Sequence, residues 1–124
     1  MSELPQLAPF VTSLRQLRTL QGQYTSASRN PQRREELKPL MREARTIADA
    51  NGELLRAELE ITTEGDTLYA AQLFILWRKV KDAHTAAYRD KYQSQFEKLR
   101  KLESDLDKML RQYGKPKPST KSNA

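Results

Sequence analysis

Residues 68–77 read Leu-Tyr-Ala-Ala-Gln-Leu-Phe-Ile-Leu-Trp, and they lie near the start of a stretch, 67–113, that contains neither Gly nor Pro. Such a stretch favours helix, because Gly and Pro are the residues that helix interiors tolerate least. Apart from Gln72, residues 68–77 place apolar side chains around the whole circumference of a helix, and such a helix is buried on every side. The sequence therefore predicts one helix over 67–113, ~70 Å long, whose first part is enclosed by protein.

The second part of this predicted helix carries a seven-residue repeat. Its apolar positions are Tyr92, Phe96, Leu99, Leu102, Leu106, Met109, Leu110 and Tyr113. Apolar residues that alternate at spacings of three and four are typical of a coiled coil, although Gln95 interrupts the seam. The pattern predicts that this part projects from the fold as a coiled-coil arm.

Two shorter helices are expected before it, at about 6–24 and 31–60. Asn30 followed by Pro31 is a good start for the second, because Asn caps helices and Pro suits the first helical position. Pro39 should kink this helix, and Asn51-Gly52 is a candidate break. The inward face of the second helix is expected to comprise Leu37, Leu40, Met41, Ala44, Ile47, Ala48, Asn51, Leu54 and Leu55.

Residues 57–70 allow two interpretations. They form either a turn between two helices or a hairpin whose strands are 59–61 and 67–69. We favour the turn, because an isolated two-stranded hairpin is marginally stable.

The expected fold is therefore all-α, a three-helix arrangement whose long third helix extends as the arm. Residues 1–113 form a single helical domain, and residues 114–124, which carry three Lys and no acidic residue, form a disordered basic tail. The chain of 124 residues has a formal charge of +6 and no Cys, so disulfides and thiolate metal sites are excluded.

The N-terminus lacks the basic start and apolar core of a secretory signal. The longest nearly unbroken apolar run, 68–77, is shorter than the roughly 20 residues that span a bilayer. A cytoplasmic location is the expectation.

Nothing in the sequence indicates catalysis. His84 is the single His, and the four Gly are scattered, so neither a His-rich metal site nor a Gly-rich phosphate loop is present. We expect a non-catalytic protein without a cofactor or metal, and we interpret His84 as a surface or interface residue.

The apolar segment 68–77 has two explanations: the centre of a bundle within the chain, or a surface for self-association or a helical partner. We favour the second, because two short helices cover about half of the third. The residues expected to bind a partner are Leu73, Phe74, Leu76, Trp77, Tyr92, Phe96, Leu99, Leu102 and Leu106. A homo-oligomer is the expected state.

A nucleic-acid-binding protein is the alternative function. The third helix carries Arg78, Lys79, Lys81, Arg89, Lys91, Lys98, Arg100 and Lys101, opposed within that span by three acidic residues. Such residues bind phosphates with little sequence preference, and the Lys-rich tail would assist. They do not form one clean stripe, so a solvated helix face or an acidic protein partner also explains them.

Overall fold

The computed structural model describes residues 4–62 and 66–113. It contains α1 (Leu7–Ser26), α2 (Pro31–Ile61), α3 (Thr67–Asp90) and α4 (Gln93–Gln112). Neither described range contains a strand. The all-α prediction is confirmed, with four helices in place of three. The expected tail at 114–124 lies outside the described residues.

The helices form two antiparallel hairpins, α1 with α2 and α3 with α4, which pack on each other through the α2–α3 and α1–α4 pairs. Arg15 contacts Leu110 and Arg18 contacts Asp107, so α1 and α4 also run in opposite directions. Each helix therefore lies antiparallel to its neighbours, as in an up-down-up-down four-helix arrangement.

The predicted start of α2 is confirmed. Asn30 Oδ1 accepts a hydrogen bond from the Arg33 backbone N–H at 3.1 Å, and Pro31 is the first helical residue. The helix continues through Pro39 and Gly52, so the considered break is absent. Residues 59–61 and 67–69 are helical. The hairpin alternative for residues 57–70 is therefore wrong.

The predicted continuous helix over 67–113 is also wrong. Lys91, between α3 and α4, has φ 61° and ψ 30°, and its backbone N–H donates to the Ala87 carbonyl at 2.8 Å. A left-handed residue other than Gly costs about 1–2 kcal/mol. Folding back offsets this cost, because it buries Leu99 and Leu106 inside the chain. The apolar repeat of α4 faces its own fold, so α4 does not project as an arm.

Two side chains fix the end of α4. Tyr69 Oη donates to the Met109 carbonyl at 2.6 Å, and Arg15 Nη2 donates to the Leu110 carbonyl at 2.7 Å. The last carbonyls of a helix lack helical donors. These two bonds satisfy two of the last carbonyls, of which that of Leu110 also accepts from the Tyr113 backbone N–H at 3.4 Å, and they attach α4 to α3 and α1.

Gly52 allows the two hairpins to approach closely. A Cβ at this position would lie 3.1 Å from Phe10 Cε1 and 3.5 Å from Phe74 Cε1. The two rings meet over it with their centroids 6.4 Å apart. The largest fully buried side chains are Phe10, Val11, Leu14, Leu17, Leu37, Leu55, Leu73 and Leu106.

Candidate interaction surface

Most side chains that the sequence assigns to a partner surface lie inside this chain. Leu73, Phe74, Trp77, Leu99 and Leu106 are buried; Leu76, Phe96 and Leu102 are half-buried against the core; and Tyr92 is exposed. A partner would reach the buried set only if the hairpins opened. On the outer side of segment 68–77, Leu68 and Ile75 remain exposed.

A different apolar surface runs along α2. Leu40, Ile47, Leu54 and Ile61 follow one another at intervals of seven residues, and 45–86% of each side chain is exposed. Seven residues are close to two helical turns, so the four lie on one line. We call this line the α2 stripe.

The α2 stripe corrects the inward face expected from the sequence, because Leu40, Ile47 and Leu54 point to solvent. The buried face of α2 consists of Leu37, Ala44, Ala48, Gly52 and Leu55. Both sets have helical spacing. The signal for the α2 stripe is present in the sequence as the strict repeat 40, 47, 54, 61.

Helix α1 borders the α2 stripe. An open groove between the two helices is lined by Ala8, Pro9, Thr12, Ser13, Gln16, Ile47 and Asn51. Asn51 Nδ2 donates to the Pro9 carbonyl at 3.3 Å and to Ser13 Oγ at 3.4 Å. These bonds fix the wall of the groove beside Ile47.

The positions between the stripe residues are small in the C-terminal half of α2. Ala50 and Ala57 each lie three residues after a member of the stripe, and both are exposed. Alternation of large and small side chains along one line allows another helix to approach closely.

Charge divides α2 into two halves. Residues 31–45 contain five basic and three acidic residues, whereas residues 46–61 contain one basic and four acidic residues. Arg56 bonds to Glu53 at 2.9 Å and to Glu60 at 2.6 Å. Helix α2 as a whole therefore has a basic end and an acidic end.

A polar cluster lies where the two hairpins meet. His84 Nε2 is 3.5 Å from Arg45 Nη2, and burial together with Arg45 lowers the pKa of His84. Burial raises the pKa of Glu103, although the neighbouring Arg18 opposes that shift. His84 is thus a half-buried residue between helices. Within residues 4–62 and 66–113 no group of three or more His, Asp or Glu could hold a metal ion.

The basic residues assigned to phosphate binding lie on two helices. Arg78, Lys79, Arg89, Lys91, Lys98, Arg100 and Lys101 are exposed. Lys81 is half-buried, and its Nζ lies 2.8 Å from Asp49 Oδ1, an oxygen that also accepts from Trp77 Nε1 at 3.1 Å. Lys91 itself lies in the turn, and this turn separates the other residues into one set on α3 and one on α4.

The chain matches no protein-family model, no curated protein and no solved structure. None of the helices in the described part of the chain is long and apolar enough to cross a bilayer. The surface of the fold is therefore what indicates function, and its most regular feature is the α2 stripe.

Proposed function

We propose that this chain is a non-catalytic protein-interaction protein and that the α2 stripe is its contact surface. The observation that carries the proposal is the alignment of four large aliphatic side chains on one helix, all at least 45% exposed. From Leu40 to Ile61 the line is ~30 Å long at 1.5 Å per residue. That length matches the side of a partner helix of about three heptads.

The alignment of its four side chains distinguishes the α2 stripe from apolar residues that are exposed singly. Isolated apolar side chains are common on protein surfaces and need no explanation. Tyr88 and Tyr92 are of this kind, since they lie near the turn at Lys91. The members of the α2 stripe instead repeat every seven residues, an interval that a partner helix wound around α2 can follow.

Burial of the α2 stripe by a partner would contribute several kcal/mol to association. Full burial of one large aliphatic side chain stabilises by about 1.5–3 kcal/mol. Leu40, Ile47 and Leu54 are about half covered already, whereas Ile61 is 86% exposed. A partner therefore gains roughly half of that energy at the first three and most of it at Ile61, several kcal/mol in total. Association costs about 4 kcal/mol or more in lost translational and rotational freedom. A micromolar dissociation constant, about −8.2 kcal/mol, therefore also requires polar contacts at the rim of the surface.

Photo-crosslinking tests this proposal. A benzophenone amino acid replaces Ile47 in one variant and Ile75 in a matched control; the two isoleucines are 47% and 53% exposed, on different helices. Each variant is expressed in native cells and illuminated. We expect a discrete adduct from position 47 and none from position 75. No adduct at position 47, or equal adducts at both positions, would overturn the proposal.

Phosphate binding is the second candidate. One observation favours it: Arg78, Lys79, Lys91, Lys98 and Arg100 are exposed and form no ion pair with any residue in the described ranges. Unpaired exposed cations bind phosphates by releasing counterions, so the affinity falls as salt rises.

Fluorescence anisotropy with a short DNA duplex, between about 50 and about 200 mM salt, measures this effect. We expect the double variant Lys98→Glu, Arg100→Glu to bind more weakly and with a shallower salt slope. Lys38→Glu is the control, because Lys38 lies on α2 and pairs with Glu35. An affinity for DNA that does not change with salt concentration would exclude phosphate binding as the function.

A further inference from the structure

We propose that the open groove between α1 and α4 binds a small molecule that carries a phosphate monoester. The groove has a volume of about 370 Å³ and is lined by Arg15, Arg18, Thr19, Asp107, Leu110 and Arg111. Small-molecule sites are clefts of about 300–1,000 Å³, so the groove is large enough for such a ligand. It shares no lining residue with the groove beside the α2 stripe, so the inference is independent of the proposed function.

Positive charge dominates the lining of this groove. Three guanidinium groups stand against one carboxylate, that of Asp107, which gives a net charge of +2. Arg18 pairs with Asp107. Arg15 and Arg111 form no ion pair with any residue in the described part of the chain. A phosphate monoester carries a charge of about −2 just above neutral pH, because its second pKa is about 6. The charge of such a ligand therefore matches that of the groove.

Arg15 and Arg111 face each other from the two walls of the groove. Arg15 of α1 bonds to the carbonyl of Leu110, the residue before Arg111 on α4, so the two cations lie at the same level. Like charges at one level repel each other. The negative end of the α4 dipole offsets part of this repulsion. An anion bound between the two guanidinium groups would replace the remainder with attraction.

Two of the three guanidinium groups are held in place before any ligand binds. Arg15 Nη2 donates to the Leu110 carbonyl at 2.7 Å, and the same group lies over the Tyr113 ring, 5.6 Å from its centroid. Arg18 is fixed by its two bonds to Asp107. Arg15 Nε and Nη1 donate to no acceptor within residues 4–62 and 66–113, so they are available to a ligand. Donors that are already ordered bind with a smaller loss of entropy.

The number of donors favours phosphate over a carboxylate. Guanidinium groups bind phosphate oxygens with two parallel hydrogen bonds, and Arg15 and Arg111 can each offer such a pair. Thr19 is exposed and adds a hydroxyl donor. A phosphate monoester presents three terminal oxygens to these groups, whereas a carboxylate presents two oxygens and one charge.

Heteronuclear NMR of the nitrogen-labelled chain, with phenyl phosphate as the probe, tests the site. At constant ionic strength we expect the backbone amide signals of Thr19 and Arg111 and the Nε–H signal of Arg15 to shift and saturate, with a dissociation constant of about 1 mM or below. Benzenesulfonate has the same ring and one negative charge, so it should bind at least about fivefold more weakly. Shifts that do not saturate up to about 10 mM phenyl phosphate overturn the inference, as does equal binding of benzenesulfonate.

The variant Arg111→Gln separates this groove from a general attraction of anions to a basic protein. Arg111 is exposed, and its side chain makes no hydrogen bond or ion pair with residues 4–62 or 66–113, so the fold does not depend on it. We expect Arg111→Gln to weaken the binding of phenyl phosphate about tenfold. Arg42→Gln is the matched control, because Arg42 is an exposed, unpaired Arg on α2, and it should leave the affinity unchanged. An affinity that Arg111→Gln leaves intact, or that both variants lower equally, overturns the site.

Discussion

Arg18 of α1 donates two hydrogen bonds to the carboxylate of Asp107 of α4, from Nε at 2.7 Å and from Nη2 at 3.0 Å. Nη1 of the same guanidinium lies 3.5 Å from a carboxylate oxygen of Glu103. All three side chains are partly buried. The first and last helices are therefore joined by a two-pronged ion pair, the geometry in which Arg binds carboxylates most strongly.

Arg18→Met should lower the free energy of unfolding by about 1–3 kcal/mol, because hydrogen bonds to charged groups contribute about that much. The change also leaves Glu103 and Asp107 without their cation. Urea denaturation measures the effect. Arg56→Met is the control: its ion pairs with Glu53 and Glu60 are on the surface of α2, where such pairs contribute little. Equal losses of unfolding free energy in Arg18→Met and Arg56→Met would contradict a stabilising role for the pair of Arg18 and Asp107.

Tyr69→Phe should lower the free energy of unfolding by about 1 kcal/mol, because it removes one hydrogen bond and leaves the Met109 carbonyl without a donor. Burial raises the pKa of the Tyr69 phenol to about 12, and an absorbance titration of the parent chain and the variant measures this ionisation. The matched control is Tyr88→Phe, whose ring is exposed. A Tyr88 variant as destabilised as the Tyr69 variant would argue against the role of the bond.

Gly52→Ala and Gly22→Ala should have different effects on the melting temperature. Both glycines are inside helices, where Ala is favoured over Gly by about 1 kcal/mol. At Gly22 a Cβ meets nothing within 4 Å, whereas at Gly52 it meets Phe10 at 3.1 Å. We expect Gly22→Ala to raise the melting temperature and Gly52→Ala to raise it less or lower it; Gly52→Leu should unfold the chain. A Gly52→Ala gain equal to that of Gly22→Ala would show that Phe10 moves freely.

Stability should fall as the pH is lowered below 6.5 because of His84. Its pKa is lowered in the folded protein by burial and then by Arg45. The unfolded chain then binds more protons than the folded one below pH about 6.5. The contribution of His84 is thus present above that pH and lost as the pH falls through the folded pKa. Thermal melts between pH 7.5 and 5 measure it.

The variant His84→Gln should remove this loss, since the chain contains one His. The raised pKa of Glu103 acts in the opposite direction: its contribution is complete at low pH and is lost as the pH rises through the folded pKa. A variant with the parent's pH dependence would place the titrating group elsewhere.

Helix content and the α2 start were predictable because their causes are local. Asn30 and Pro31 signal a helix start within a few residues, and the lack of Gly and Pro within 67–113 favours helix there. The turn at Lys91 has no such signal. Neither Gly nor Pro marks it, and the left-handed residue is a Lys. What ends α3 is the long-range burial of Leu99 and Leu106, which sequence spacing does not reveal.

Prediction of the interaction surface from the sequence meets the same limit. A seven-residue repeat predicts an apolar line on a helix but not what covers it. In α4 that line packs into the chain's own core, and in α2 a second line remains in solvent. Leu40, Ile47 and Leu54 lie on one side of the buried face of α2, so in the sequence alone they merge with it. The structure of the neighbouring helices is needed to separate the two sets.

The two-hairpin arrangement also has a consequence during synthesis. The α1–α2 hairpin ends at Ile61, so it is complete before the residues of α3 and α4 are made. At about 5–20 residues per second a ribosome needs about 2–10 s to add residues 67–113, whereas helices form in about a microsecond. For those seconds α2 exposes both its α2 stripe and the face that later receives α3. If the α2 stripe is the contact surface proposed above, neighbouring nascent chains on one polysome present it before their own α3 and α4 are made. The speed of translation, as well as equilibrium stability, then sets how long it stays open.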